Sequence, residues 1–158
     1  MRSAFSPRNL ALGAVAVLLF LVSVPRVHQL ALQDNQRDAQ SAVRALAKAA
    51  FPLSAEEGMS SYELSLALSE RLRDVRYHEE SGLIQRHGYL FEVSSRSQGG
   101  DLVRAWPVVH GETGVMAYMM SQESPLQTHR NSDAAWSGRS VTRPTGDEPG
   151  WFATPSPR

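Results

Sequence analysis

His110 and Glu112 stand two residues apart in the run His110-Gly111-Glu112-Thr113-Gly114. An imidazole beside a carboxylate is the pairing that general-base chemistry uses. A secreted or periplasmic enzyme would be built from these two residues. The preferred reading is plainer. Gly111 and Gly114 supply positive φ for a tight turn, and His110 sits exposed at its rim. His78-Glu79-Glu80 has zinc-type residues but lacks a second histidine one helical turn on. The five histidines, at 28, 78, 87, 110 and 129, have no ligand spacing. Asp101, Glu123 and Asp133 are candidates for a calcium ion, yet their spacing is not that of an EF-hand loop. There is no G-x-S-x-G, P-loop or G-x-G-x-x-G. The chain has no cysteine, so disulfides and thiolate catalysis are excluded. The expectation is a protein with no catalytic, cofactor-binding or metal-binding residues, and with no cofactor.

The elements that would position these residues follow from periodicity. Ala39, Ala42, Val43, Leu46 and Ala50 fall on one face of a helix over Gln33–Ala50. Pro52 is expected to end it. Ser60 and Glu63 read as a capping box for a second helix with Leu64, Ala67, Leu68, Leu72 and Val75 on one side; Ser54 and Glu57 offer another box upstream. Arg76–Gly82 reads as its exit loop. From Gly88 the period changes to two. Tyr89, Phe91 and Val93 alternate with Leu90, Glu92 and Ser94, as in a half-buried strand. Gly99-Gly100 marks a turn. Further strands are expected over Leu102–Val109, Val115–Met120 and, more weakly, Leu126–Arg130, with Pro107 at an edge or a bulge. Met116, Met119 and Met120 with Tyr118 read as core and edge packing. Beyond Val141, four prolines and two glycines in seventeen residues predict a disordered tail. Trp151 and Phe152 are read as incidental to it.

The least water-compatible stretch is Leu10–Val24, fenced by Arg8 and Arg26. Its five leucines, four valines and Phe20 would gain roughly 3 to 6 kcal/mol on insertion into a bilayer. Two readings stay open, a retained anchor and a cleaved signal peptide. The anchor is preferred because Val22-Ser23-Val24-Pro25-Arg26 lacks a small-x-small cleavage pattern. Arg2 and Arg8 would then stay cytoplasmic, and Pro25 would kink or interrupt the helix. All sixteen acidic residues and fourteen of the sixteen basic ones lie beyond this stretch, leaving that part near −2. No basic field is present to attract nucleic acid.

This order of elements resembles that of type IV pilins and the pseudopilins of type II secretion. More locally, Gly88-Tyr89-Leu90-Phe91 and Ala105-Trp106-Pro107 through His110-Gly111-Glu112-Thr113-Gly114-Val115 resemble a run shared by a group of bacterial exported proteins. The resemblance implies an α+β fold: an N-terminal transmembrane helix, continued by an amphipathic helix and packed on a three- or four-stranded antiparallel sheet. It also implies an inner-membrane location with the domain outside. The chain lacks the glycine before the apolar run and the glutamate at the fifth mature position of a prepilin, so architecture is carried over and polymerisation is not. The expected divisions are a leader 1–9, an anchor 10–25, a domain 26–141 and a tail 142–158. The expected function is a structural or protein-interaction component of the envelope; a true minor pseudopilin is an alternative. The expected partners are the bilayer, through Leu10–Val24, and an envelope or secretion-system protein. The expected interaction surface is Trp106, His110, Gly111, Glu112, Gly114 and Tyr118, on the argument that an unpaired strand edge can accept a partner strand.

Overall fold

From Tyr89 onward the side chains alternate between two apolar environments, and that alternation builds the sheet. Tyr89, Phe91 and Val93 enter one core cluster while Leu90 enters another, as a period of two requires. The computed structural model describes residues 7–57, 61–71, 73–96, 100–139 and 141–154; within 7–22, 53–57, 61, 71 and 95–96 it describes the backbone alone. The chain divides into two units, Met1–Ala31 and Leu32–Arg158. Helix α1 is Pro7–Glu57 and α2 is Ser61–Arg71. The strands are β1 (Arg76–His78), β2 (Leu83–Arg86), β3 (Tyr89–Arg96), β4 (Gly100–Pro107), β5 (Met116–Ser121), β6 (Gln127–Arg130) and β7 (Trp151–Ala153). They form one seven-stranded sheet in the order β1 to β7, every pair antiparallel.

One sheet face is covered by helix. Ala39, Ala42, Val43, Leu46, Ala47 and Ala50 of α1, with Leu64 and Leu68 of α2, share a cluster with Ile84, Tyr89, Phe91, Val103 and Tyr118. The alanines on α1 leave room for those aromatic rings. Asp38 fixes this helix to the β2–β3 turn, its two oxygens meeting Arg86 Nη2 at 2.9 Å and His87 Nδ1 at 3.1 Å. The opposite face holds Leu83, Leu90, Trp106 and Ala117, and Trp136, Val141 and Trp151 lie over it.

The expected architecture needs correction. The fold is not a pilin-like helix on a three- or four-stranded sheet, because seven strands pair in chain order. Arg76–Gly82 was expected to be a loop. It contains β1, and β2 follows it, because a four-residue strand such as Leu83–Arg86 is too short to show its period. The disordered tail expected over 142–158 does not hold for 142–154. Trp106 Nε1 donates to Gly138 O at 2.8 Å and Arg104 Nη1 to Pro144 O at 2.8 Å. Thr154 N then donates to Leu126 O at 2.8 Å. Trp151 stacks on Trp136 with centroids 5.7 Å apart, so it is part of the core. Residues 155–158 lie outside the described ones.

The membrane expectation is corrected as well. Among the described residues no helix is long and apolar enough to cross a membrane, which removes the support for a single-pass inner-membrane location. The helix that contains Leu10–Val24 continues through Arg26, His28, Asp34 and Arg37, so charge follows the apolar run without a break; side chains of residues 10–22 lie outside the described ones. Neither Pro25 nor Pro52 ends α1. Ser54 lies inside that helix and not at its start, and Ser60 lies outside the described residues.

Candidate functional site

The expected interaction residues are not brought together on one surface. Trp106 and Tyr118 are both fully buried, and they belong to opposite faces of the sheet. They also lie on β4 and β5, which are paired on both sides, so the edge argument cannot apply to them. Trp106 is closed over by Arg143, whose guanidinium carbon sits 5.2 Å from the ring. Tyr118 lies 5.8 Å from Tyr89, ring centre to ring centre. Burial raises the pKa of both phenols; for Tyr89 the neighbouring Tyr118 adds to the effect, although Tyr89 also donates to Met116 O at 3.1 Å.

The His110–Gly114 run is a turn that holds this tyrosine in place. Gly111 N donates to Gly114 O at 2.9 Å, Thr113 N to Val109 O at 2.9 Å, and Gly111 takes φ 82°. Gly114 is buried against the Tyr89 ring, where a Cβ would overlap the hydroxyl. Asn35 Nδ2 of α1 donates to Thr113 O at 3.1 Å. His110 is half-buried and its amide donates to Ser137 Oγ at 3.0 Å, whereas Glu112 is exposed. The turn therefore joins helix, sheet and C-terminal segment, and Glu112 points its charge to water rather than orienting His110. Asp101 is buried beside Gln122, 3.3 Å away, while Glu123 and Asp133 are exposed. Among the described residues no group of three or more His, Asp or Glu side chains gathers for a metal ion.

Apart from its outer strands β1 and β7, the sheet has a further unpaired stretch along β3. His87 and Gly88 both take positive φ, 41° and 81°, so the β2–β3 turn is type I′. Such a turn makes Arg86 and Tyr89 a hydrogen-bonded pair, and alternation then makes Ile84 and Phe91 the next one. Continuing that register puts Leu83 opposite Glu92 and Gly82 opposite Val93. The chain has already turned by then, since Gly82 N donates to His78 O at 2.9 Å. Strand β3 nevertheless runs on to Arg96 against β4. Val93 and Ser95 therefore aim their N–H and C=O groups away from β4, and among the described residues no strand pairs with them there.

A cleft of about 290 Å³ opens along this side, lined by Tyr62, Glu79, Glu80, Ser81, Gly82, Glu92 and Val93. A second cleft, of about 710 Å³, lies across the same turn and is lined by Tyr77, His78, Glu79, Glu80, Ser81 and Arg139. In it Arg139 Nη1 reaches His78 Nδ1 at 3.3 Å, and His78 Nε2 meets Gln85 Oε1 at 2.8 Å. A guanidinium can only donate, so Nδ1 accepts and the imidazole proton sits on Nε2. Glu79 and Glu80 are exposed between the two clefts. Glu92 is different: Arg104 Nη2 at 2.8 Å and Arg143 Nε at 3.3 Å neutralise it. Tyr77 packs edge-on against Tyr62 at 6.0 Å, and burial, Tyr62 and the Glu79 charge raise its pKa.

The open edge was missed from the sequence because it depends on where β2 begins, and Leu83–Arg86 carries no strand period of its own. The only signal was Gly82, a turn residue placed ten positions before the middle of a longer strand. Comparison with protein-family models, with curated proteins and with solved structures finds no match for this chain.

Proposed function

We propose that the Leu32–Arg158 unit is a protein-interaction module that takes an extended segment of a partner onto the open side of β3. One observation carries this reading: β3 outruns β2, leaving the outward backbone groups of Val93 and Ser95 without a strand among the described residues, with Val93 at the wall of a cleft. Such an edge is a template for an added strand. Two outward residues supply about four backbone hydrogen bonds, each with a net value of ~1 kcal/mol. That is enough for a recognition event that side chains then refine. The exposed Tyr62 ring at the cleft wall gives the incoming strand a surface to pack on.

The test uses the ¹⁵N-labelled full chain and an N-acetylated hexapeptide of alternating threonine and valine. Addition of peptide shifts the amide signals of Val93 and Ser95 and slows their exchange. Ser95→Pro removes one outward N–H while sparing the β3–β4 ladder, since Ser95 and Asp101 are a non-hydrogen-bonded pair by the same alternation. This variant keeps the fold and loses the response. Unchanged amides, or an equal response from Ser95→Pro, would refute the edge as a binding site.

A further inference from the structure

We propose that the segment taken up by this edge is basic, with lysine or arginine side chains directed at Glu79 and Glu80. The inference rests on the edge reading above and adds the partner's charge. Among the described residues, three carboxylate residues line the cleft beside Val93 and no basic residue does. Glu92 is already matched by Arg104 and Arg143 on the far side of its strand. Arg139 lies in the neighbouring cleft and is engaged with His78. Among the described residues Glu79 and Glu80 are the cleft carboxylates that no arginine or lysine pairs with, on the turn that precedes β2.

Geometry makes these two residues readers of a strand. Gly82 has turned toward His78 before it can pair with Val93, so a segment added beside β3 starts next to the Glu79–Gly82 turn and runs toward Arg96. Its side chains alternate across the sheet. Those on one side pass Tyr62, and those nearest the turn pass the two carboxylates. Like charges placed there would repel, and cationic ones complete an ion pair at the rim. Rim pairs in water are individually weak, so they bias the choice of partner while the backbone bonds hold it.

Three acetylated hexapeptides separate the possibilities when titrated into the labelled full chain: alternating lysine–valine, glutamate–valine and threonine–valine. The lysine peptide is expected to bind about fivefold tighter than the threonine one, with shifts at Val93 and Ser95. The glutamate peptide binds most weakly. The advantage of lysine disappears in the Glu79→Gln/Glu80→Gln double variant and at about 0.5 M salt, where the Debye length is only a few ångströms. Equal binding of all three at Val93 and Ser95 would overturn the charge inference and leave the edge reading standing. A lysine peptide that shifts only amides away from β3 would also overturn it. If no peptide shifts these amides, the edge reading itself fails.

Discussion

Gly114 has no side chain because Tyr89 occupies the space where one would lie. Replacing it with alanine forces a methyl group into a buried ring that cannot retreat, an overpacking cost of about 1–3 kcal/mol. Urea unfolding of Gly114→Ala would read this as a lowered midpoint. A double variant with Tyr89→Leu should recover part of the loss, since the two changes share one space. The Gly-Tyr and Gly-x-Thr-Gly runs stood out in the sequence as a matched pair, and the structure explains the pairing: Gly88 and Gly114 flank the same tyrosine and threonine. What could not be read was the contact itself, Gly114 lying against Tyr89 and Gly88 against Thr113. Glu148 shows a different kind of fixed residue. Burial would raise its pKa, but the amides of Thr145, Gly146 and Glu148 itself, with the Trp151 indole, outweigh that and hold it at about 2 instead of the ordinary 4.5. A lowered value means the folded chain favours the ionised form. The stabilisation is therefore complete above pH ~4.5 and is lost as pH falls toward 2. Stability measured across that window should decline in the wild-type chain, and Glu148→Gln should remove this part of the slope.

Helix α1 and the β2–β3 turn depend on one carboxylate. Asp38 meets both Arg86 and His87; Asp38 and Arg86 are partly sheltered from water and His87 is exposed. Asp38→Ala leaves Arg86 without its partner and should cost about 1–3 kcal/mol, measurable by thermal or urea unfolding. The Ala39–Ala50 stripe was legible because a period of 3.6 over several turns is hard to mistake; all five of its residues are buried, and Ala47 joins them. The strands over 89–96, 100–107 and 116–121 were legible for a similar reason, as each carries alternation or a nearby glycine, while 127–130 gave only a weak signal. Strands β1, β2 and β7 were not. Each has three or four residues, at most two periods, and their pairing is decided by the neighbour and not by their own composition. The proline-rich composition of the C-terminal segment concealed its order in another way. Its hold on the sheet comes from Trp136, Val141, Arg143 and Trp151, which are scattered between the prolines.

For the Leu32–Arg158 unit as a whole, the covering of both sheet faces sets the stability. A chain truncated after Asn131 would lose Trp136, Val141, Arg143 and Trp151 and uncover Trp106, Leu83 and Leu90. The truncated chain should bind a hydrophobic dye and associate on a sizing column, because an apolar face of this kind in water drives aggregation. Trp106→Ala tests the same cover from inside, with an expected loss of about 3–5 kcal/mol and release of the Gly138 contact. The sheet's simple order has a temporal counterpart. Strands that pair with their sequence neighbours can dock one after another during synthesis, with no loop to thread. The helix-covered face can close early, but its opposite waits for Trp136 and Trp151 to leave the ribosome. Until then Trp106 is wetted, and a pause in translation near residue 131 would leave the nascent chain greasy on one side and in need of a chaperone.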